Sequence, residues 1–410
     1  MTSKKPIRFG LVGIGGYAAT YVKAIEALEQ EGMAAFGSVV IRTRGKYPEK
    51  EQELVARGVT IRASLEEMLE KDRDRIDIVA IPTGIDAHRT QMIQAVEAGF
   101  NVVLEKPTTG TIQDLDAMSE ALRRTGKFCA IGFQSQYSPS VMGLKREICA
   151  GRLGAVREVI VKGFWMRDDH YYARNAWAGN LKAGDAWVLD GTINNPQAHY
   201  LFNGLYFASS TWGQAAMPQT VRAELYHAHD IESENTSCLE IACDTGAKVY
   251  FYGTLAAGAN QPIHIEVVGE KGRAVWTGKQ TVQIWDGDQP PVMLDVPAVD
   301  DRANVFRNVV RYMRGDDAEL LCPLAMTRAH VLAVNGAFLS AGRPKAVPRP
   351  ALWITQEQKP KPHVRTVIAG IESMLERCSA DRKLLSDVSV AWAAPSRAVD
   401  VSALKTFDLA

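Results

Sequence analysis

The chain has 410 residues, more than one typical domain needs and enough to bury two cores. Lys+Arg and Asp+Glu balance at 47 each, so the charge gives no case for nucleic acid or an anionic membrane as partner. Hydrophobic residues make up 46%, an ordinary globular proportion, and no stretch approaches the ~20 apolar residues of a membrane-spanning helix.

Six scattered cysteines (Cys129, Cys149, Cys238, Cys243, Cys322, Cys378) form no CxxC pair, which suggests reduced thiols and a cytoplasmic location. No metal site is expected. Lys4 and Lys5 precede the short apolar stretch Gly10–Ile14, but that stretch is too glycine-rich and too short for a secretory signal.

Ile7–Val12 is a short apolar strand, followed by Gly13, Ile14, Gly15, Gly16, Tyr17 and Ala18 and then a helical pattern (Tyr21, Ala24, Ile25, Leu28). Strand, glycine turn and helix in that order fit a dinucleotide-binding turn, with Gly13, Gly15 and Ala18 in the three small-residue positions. The helix N-terminus then offers amide donors to a pyrophosphate.

A second strand, Phe36–Ile41, ends in Arg42-Thr43-Arg44, where NAD-selective folds usually place an acid. Two guanidiniums suit a 2′-phosphate, which predicts NADP as the preferred cofactor over NAD; the alternative is a solvated basic loop.

Ser64-Leu65-Glu66-Glu67 is a capping box. Ile76–Ile81 is a buried strand that runs into Pro82-Thr83, and a helix from Asp86 or Ala87, carrying His88, ends at Gly99. Asn101–Leu104 breaks from an apolar run into Glu105-Lys106-Pro107. A Lys at the carboxyl end of a buried parallel strand stands where open α/β sheets bind ligands; the alternative is a strand end with a surface Lys. Lys-Pro is also a candidate cis bond. Another helix and the strand Phe128–Gly132 complete a β–α alternation that predicts a parallel sheet covered on both faces.

Beyond a helix at Val141–Cys149, the strand Val156–Trp165 opens a loop rich in aromatic and charged residues, with Trp165, Arg167, Asp168, Tyr171, Arg174 and Trp177. Such a loop suits sugar stacking and hydroxyl contacts. A helix is predicted from Asp185 through Phe202, closed by Gly204. Six β-type runs follow between Thr220 and Trp285, then helices at Ala303–Met313 and Ala325–Ser340. Pro348, Pro350, Pro360 and Pro362 mark an extended segment, His363–Arg377 patterns as an amphipathic helix, and Val388–Trp392 as a strand.

Taken together, the chain is similar to the Gfo/Idh/MocA family of NAD(P)-dependent oxidoreductases. The resemblance is carried by Gly13-Ile14-Gly15-Gly16, Glu105-Lys106-Pro107, Gly132-Phe133 with Tyr137 and Pro139, and Gly151-Arg152-Leu153-Gly154, in order over residues 5–345. It implies an α/β fold: an N-terminal Rossmann domain (1–132, doubly wound parallel sheet), an α+β domain with a large open, mostly antiparallel sheet (133–345), and an extension packed on the body (346–410). The resemblance further implies hydride transfer between nicotinamide C4 and a carbinol carbon of a sugar, polyol or sugar derivative, with Lys106 facing both. It also implies a homodimer or homotetramer, associated through the open sheet.

Family members usually carry Asp-x-Gly-x-His-x-x-Asp after the long loop. Here the register gives Asp190-Gly191-Thr192-Ile193-Asn194-Asn195-Pro196-Gln197, with amides in place of the usual His and second Asp. An amide holds a hydroxyl but exchanges no proton near neutral pH. His199 is the nearest titratable replacement, so Lys106, His199, Asn194 and Asp190 are the catalytic candidates. Tyr137, Trp165, Arg167, Asp168, Tyr171 and Gln197 are the substrate-binding candidates, and the residues of the glycine turn, Arg42–Arg44, Pro82, Thr83, His88 and Glu105-Lys106 are the cofactor-binding set. The amide substitutions also leave open a cofactor-recycling sugar enzyme, of glycosidase or epimerase type, or a non-catalytic NAD(P)-binding regulator.

Overall fold

The structure is a computed structural model that describes residues 5–297, 299–358 and 361–409. Lys4 and Pro360 lie outside the described residues. The chain divides into two compact units, one of residues 1–109, 114–138 and 298–325 and one of residues 110–113, 139–297 and 326–410.

The first unit alternates β1 (Ile7–Val12), α1 (Ala18–Gln30), β2 (Ala34–Val40), α2 (Pro48–Ala56), β3 (Thr60–Arg62), α3 (Leu65–Lys71), β4 (Ile78–Ile81), α4 (Ile85–Glu97), β5 (Asn101–Leu104), α5 (Ile112–Thr125) and β6 (Cys129–Ile131). Its six strands are parallel, in the order β3-β2-β1-β4-β5-β6. The order reverses between β1 and β4, which opens a crevice at their carboxyl ends. The central strands are continuous apolar runs because helices cover both faces; all four residues of β4 and the last three of β5 are buried. Ser64 caps α3 by accepting from Glu67 N at 3.2 Å, and the Glu67 carboxylate accepts from Ala63 N at 2.9 Å, one residue earlier than a reciprocal capping box requires.

The second unit begins with α6 (Pro139–Cys149), β7 (Val156–Phe164), the one-turn α7 (Asp169–Tyr172), a small hairpin of β8 (Lys182–Ala183) and β9 (Ala186–Trp187), and α8 (Ala198–Phe207). Then come β10 (Pro218–His227), β11 (Thr236–Cys243), β12 (Lys248–Thr254), β13 (His264–Gly269), β14 (Gly272–Thr277), β15 (Val282–Asp286) and β16 (Val292–Met293). The chain returns to the first unit for α9 (Asp301–Met313), whose Phe306 meets Phe9 and Tyr21 edge-on at 5.6 and 4.9 Å. It re-enters the second unit for α10 (Arg328–Ala341), β17 (Lys345–Ala346), β18 (Leu352–Glu357), β19 (His363–Ile368), α11 (Ile371–Asp381) and β20 (Val399–Asp400).

Ten of these strands form one sheet, β16-β15-β14-β13-β7-β12-β11-β10-β17 with β20 on β10. Its pairs are antiparallel except β7–β12 and β10–β17. Gly204 sits inside α8 rather than ending it. A Cβ there would approach Val161 Cγ2 to 2.8 Å, so the missing side chain lets the helix lie close on the sheet.

On the opposite face of that sheet, the part at β7, β10, β11 and β12 is covered by the chain's own C-terminal segment. Ile160, Tyr226, Cys238, Tyr250 and Tyr252 pack with Leu352, Ile368, Ile371, Leu375, Cys378, Leu384, Leu385 and Val390. Polar ties hold the cover in place: Arg382–Glu158 at 2.9 Å, Lys162–Glu376 at 2.9 Å, Arg222–Asp387 at 2.7 Å, and Ala394 N on the Tyr226 hydroxyl at 2.9 Å.

Three expected elements differ. The helix predicted from Asp185 is a β-hairpin and a turn, and helix starts only at Ala198. His363–Ile368 is a strand paired with Leu352–Glu357, not the start of a helix. Its β-branched residues suit a ladder, and Gly370 at φ +71° separates it from α11. Val388–Trp392 is turn rather than strand. All six cysteines are unpaired, and no helix among the described residues is long and apolar enough to cross a membrane.

Candidate active site

In the first unit, β1 ends in a turn whose Gly13 has φ +95° and whose amide donates to Val40 O at 3.0 Å. Gly15 lies beneath the ring of Tyr47: a Cβ at that position would stand 2.1 Å from the Tyr47 hydroxyl. α1 starts at Ala18 with Tyr17 as N-cap, no capping side chain and no acid in its first turn. Its first amides close back on the glycine turn: Ala18 N donates to Gly15 O and Ala19 N to Gly16 O, each at 3.2 Å, and Thr20 N to Tyr17 O at 2.9 Å.

At the end of β2 the two arginines differ. Arg44 Nε lies 2.9 Å from Glu51, a nearly buried carboxylate of α2 that also accepts from Gly45 N at 2.8 Å. Arg42 is exposed and has no ion-pair partner among the described residues. The Glu51 pairing has no more trace in the sequence than the two acids, Glu49 and Glu51, in the first turn of the following helix. Thr43 is exposed beside them.

Beyond β4, Pro82 is buried and the Thr83 hydroxyl donates to Gln91 at 2.7 Å. His88 was expected at the cofactor; the structure gives it another task. It is fully buried, with Nδ1 at 2.9 Å from Pro107 O and Nε2 at 3.1 Å from Thr83 O. It thus struts the turns after β4 and β5 against each other. Desolvation holds its pKa below the ordinary value, against the pull of those carbonyls.

Glu105 N donates to Ile81 O at 3.0 Å, and Lys106-Pro107 is a cis bond. The Glu105 carboxylate is 5% exposed and accepts from the Tyr21 hydroxyl at 2.8 Å. Burial pushes its pKa up to about 7, while Lys106 and the Tyr21 hydroxyl act in the opposite direction. Gly132 makes room for this pair, since a Cβ there would stand 2.7 Å from Glu105 Oε2. Lys106 is half-buried at the carboxyl end of β5. Tyr137 is fully buried and donates to Ile131 O at 3.2 Å, a packing position within this unit rather than an open surface for substrate.

In the second unit, Asp190 is 3% exposed and both oxygens are engaged: Oδ2 by Arg174 and by Gly179 N, each at 2.7 Å, and Oδ1 by Asn195 at 2.6 Å. Asn194 is fully buried and donates to Val188 O at 3.0 Å. Gln197 is also fully buried, seated on the sheet and donating to Gly163 O at 2.9 Å. Asn194 and Gln197 thus brace the turn and the sheet; their side chains are closed off from any ligand-facing surface. His199 is 8% exposed, with its ring centroid 6.2 Å from that of Tyr200.

Glu234 organises this segment, and nothing local in the sequence announces it. It is fully buried and accepts from Thr192 N at 2.8 Å and Ile193 N at 2.9 Å. Burial pushes its pKa up to about 8 despite those bonds.

The aromatic loop is ordered by its own contacts. Trp165 N donates to Thr254 O and Arg167 N to Leu255 O. Asp168 caps α7 by accepting from Tyr171 N at 3.1 Å, and Asp169 accepts from Val364 N at 2.9 Å. Trp165 meets Tyr200 edge-on at 5.7 Å.

Residues 7–133 match the oxidoreductase family with an NAD-binding Rossmann fold, GFO_IDH_MocA. Among curated proteins, the chain is 36% identical over 89 residues to scyllo-inositol 2-dehydrogenase (NAD(+)) of Bacillus subtilis, covering 22% of this chain and 25% of that one. It is 27% identical over 231 residues to inositol 2-dehydrogenase/D-chiro-inositol 3-dehydrogenase of Halalkalibacterium halodurans, covering 55% and 60%. The chain thus spans from a quarter to three-fifths of the length of these relatives. Among solved structures, the WlbA dehydrogenase of Chromobacterium violaceum, in complex with NADH and UDP-GlcNAcA, superposes with a TM-score of 0.69 at 25% identity, over 83% of this chain and 94% of that one.

Proposed function

We propose that this chain, whose residues 7–133 match the oxidoreductase family with an NAD-binding Rossmann fold, moves a hydride between nicotinamide C4 and a carbinol carbon of a sugar, polyol or sugar derivative. The observation that carries the proposal is Lys106 at the carboxyl end of β5, in the same parallel sheet as the glycine turn after β1. The dehydrogenase names of the relatives support the reaction class.

The residues present fit a dinucleotide. Gly13 supplies the turn, Gly15 lets the backbone pass beneath the Tyr47 ring, and the N-terminus of α1, with no acid in its first turn, would favour a pyrophosphate through the helix dipole. Arg42 is the guanidinium left for a 2′-phosphate, since Arg44 is neutralised by Glu51. NADP preference therefore rests on Arg42. Once bound, the nicotinamide supplies the hydride chemistry.

Lys106 donates a hydrogen bond to the reacting oxygen and stabilises its alkoxide character. Glu105, buried beside it and bonded to Tyr21, holds the turn and offers a carboxylate whose charge offsets the ammonium. In the second unit, Trp165, Arg167, Asp168 and Tyr171 are the groups proposed to meet a sugar. Asp190 orders the site through Arg174 and Asn195 instead of exchanging protons. A 1–132 cofactor part, a 133–345 substrate part, cytoplasmic residence and self-association belong to the same proposal. With the β7 and β10–β12 part of the sheet face covered by the C-terminal segment, that association would use surface outside it.

The test is reduction of NADP⁺ or NAD⁺ followed at 340 nm with a panel of sugars and polyols, wild type beside Lys106→Met. The proposal expects turnover in the wild type, loss of about 100-fold or more in the variant, and cofactor binding retained in both. Turnover in Lys106→Met close to wild type would remove the assignment of Lys106. Cofactor binding with no net reduction for any substrate would favour the recycling or regulatory alternatives.

A further inference from the structure

Two arginines flank Tyr171 in the aromatic loop, and only one is neutralised. Arg174 lies over the Tyr171 ring at 4.0 Å and binds the Asp190 carboxylate at 2.7 Å. Arg167 also lies over the Tyr171 ring, 5.3 Å from its centroid, and over that of Trp165 at 5.0 Å. Among the described residues it has no carboxylate within ion-pair distance. Its side-chain hydrogen bonds all leave from Nη1, to Met166 O at 2.8 Å and Asn260 Oδ1 at 3.3 Å. The Nε–Nη2 edge, the side on which a guanidinium grips two oxygens at once, carries no bond among the described residues.

The edge is also held in place. The backbone of Arg167 is tied to Leu255 O at 2.8 Å. The following turn is capped by Asp168 and pinned to the C-terminal hairpin by Asp169 and Val364. The contacts of Arg167 with the Trp165 and Tyr171 rings hold the cation and lower the cost of ordering it when a ligand arrives. A half-buried, aromatic-flanked guanidinium with an open fork calls for an anion, and the rings beside it call for a sugar.

Resting on the dehydrogenase proposal for the reaction class, we infer that the aromatic loop of the second unit binds an anionic sugar derivative, whose carboxylate or phosphate is received bidentately by the Nε–Nη2 edge of Arg167. The carboxylate of a sugar acid and the phosphate of a sugar phosphate share the paired oxygens that the fork recognises.

The experiment is isothermal titration of the full chain, with the reduced cofactor bound, against D-glucose, D-glucuronate and D-glucose 6-phosphate. It is run on wild type, Arg167→Lys and Arg167→Gln, with turnover of the same probes measured alongside. The inference expects one anionic probe to bind at least about tenfold tighter than glucose, and whichever it is names the source of the anion. Arg167→Gln should lose that advantage. Arg167→Lys should keep only its salt-sensitive part, since an ammonium has charge but no fork. Equal affinity for all three probes, or an equal loss for all three in Arg167→Gln, would overturn the inference. Because binding is read separately, anion-selective binding without turnover of any probe counts against the dehydrogenase proposal alone. Turnover of neutral sugars with no anion preference counts against Arg167 alone.

Discussion

A Cβ on Gly191 would stand 1.3 Å from Glu234 Oε2. The carboxyl group occupies the place of a side chain at 191 and caps the two amides that follow. The turn from Asp190 to Gln197 is therefore built around a group that comes from the strand end before β11. Gly191→Ala should destabilise the protein by about 2 kcal/mol or more, because either the carboxyl or the turn must move. In a Glu234→Ala background the same substitution should cost much less. Equal costs in the two backgrounds, measured by denaturant unfolding, would show that the residues are not coupled.

Glu234 also sets a pH dependence. Its pKa is pushed up to about 8 by burial, from 4.5 for an ordinary Glu. The folded protein keeps a proton there that the unfolded chain releases above pH 4.5. This contribution is full below that pH and is lost as pH rises towards about 8. Glu105, pushed up to about 7, acts with the same sign, so the assignment needs a difference. The unfolding free energy of wild type minus that of Glu234→Gln should fall as pH rises from about 5 to about 8. A flat difference would refute the assignment.

Lys145 is fully buried where α8 ends. Its ammonium donates to the carbonyls of Tyr206 at 2.6 Å, Ser209, and Gln214 at 3.1 Å, and lies 4.2 Å from the Tyr206 ring centroid. Lys145→Met fills much of the volume but leaves those carbonyls without their donor. A loss of about 2–4 kcal/mol is expected in chemical denaturation, well above that of a surface Lys. A loss under about 0.5 kcal/mol would show that water replaces the ammonium.

At the end of β2, Arg42→Ala should weaken NADP binding about tenfold while leaving NAD within about twofold, since a 2′-phosphate is the group the two cofactors do not share. Arg44→Ala should affect both cofactors alike, because Arg44 already serves Glu51. Titration of both cofactors against both variants decides this, and an equal loss of NADP and NAD in Arg42→Ala would remove the case for NADP.

On the covered face of the large sheet, Leu375→Ala should cost about 2–5 kcal/mol, as for a fully buried leucine. Glu376→Gln, which breaks only the Lys162 pair, should cost less than about 1 kcal/mol. Thermal unfolding of the two variants gives the comparison. Similar small losses would mean that the segment is only loosely packed on the sheet.

Elements whose cause is local are legible in the order of the residues. Buried parallel strands show as unbroken apolar runs, as at Ile78–Ile81 and Val102–Leu104, and Thr236–Cys243 and Lys248–Thr254 show as β-type runs on either side of the turn residues Asp244-Thr245-Gly246. The glycine turn and the placement of Lys106 after β5 follow from the same neighbour-to-neighbour chemistry. Tertiary structure decided whatever depends on a partner far along the chain. Residues 363–368 carry apolar groups at helical spacing, yet they form a strand because Leu352–Glu357 completes their hydrogen bonds. Asp190–Gln197 is a turn because Glu234 caps its amides. His88 is a strut because the carbonyls of Thr83 and Pro107 enclose it. Arg44 and Arg167 look alike in sequence, and only the folded chain gives one a carboxylate and leaves the other's fork open. Period and turn chemistry are written in adjacent residues; burial and charge pairing are settled only when distant segments meet.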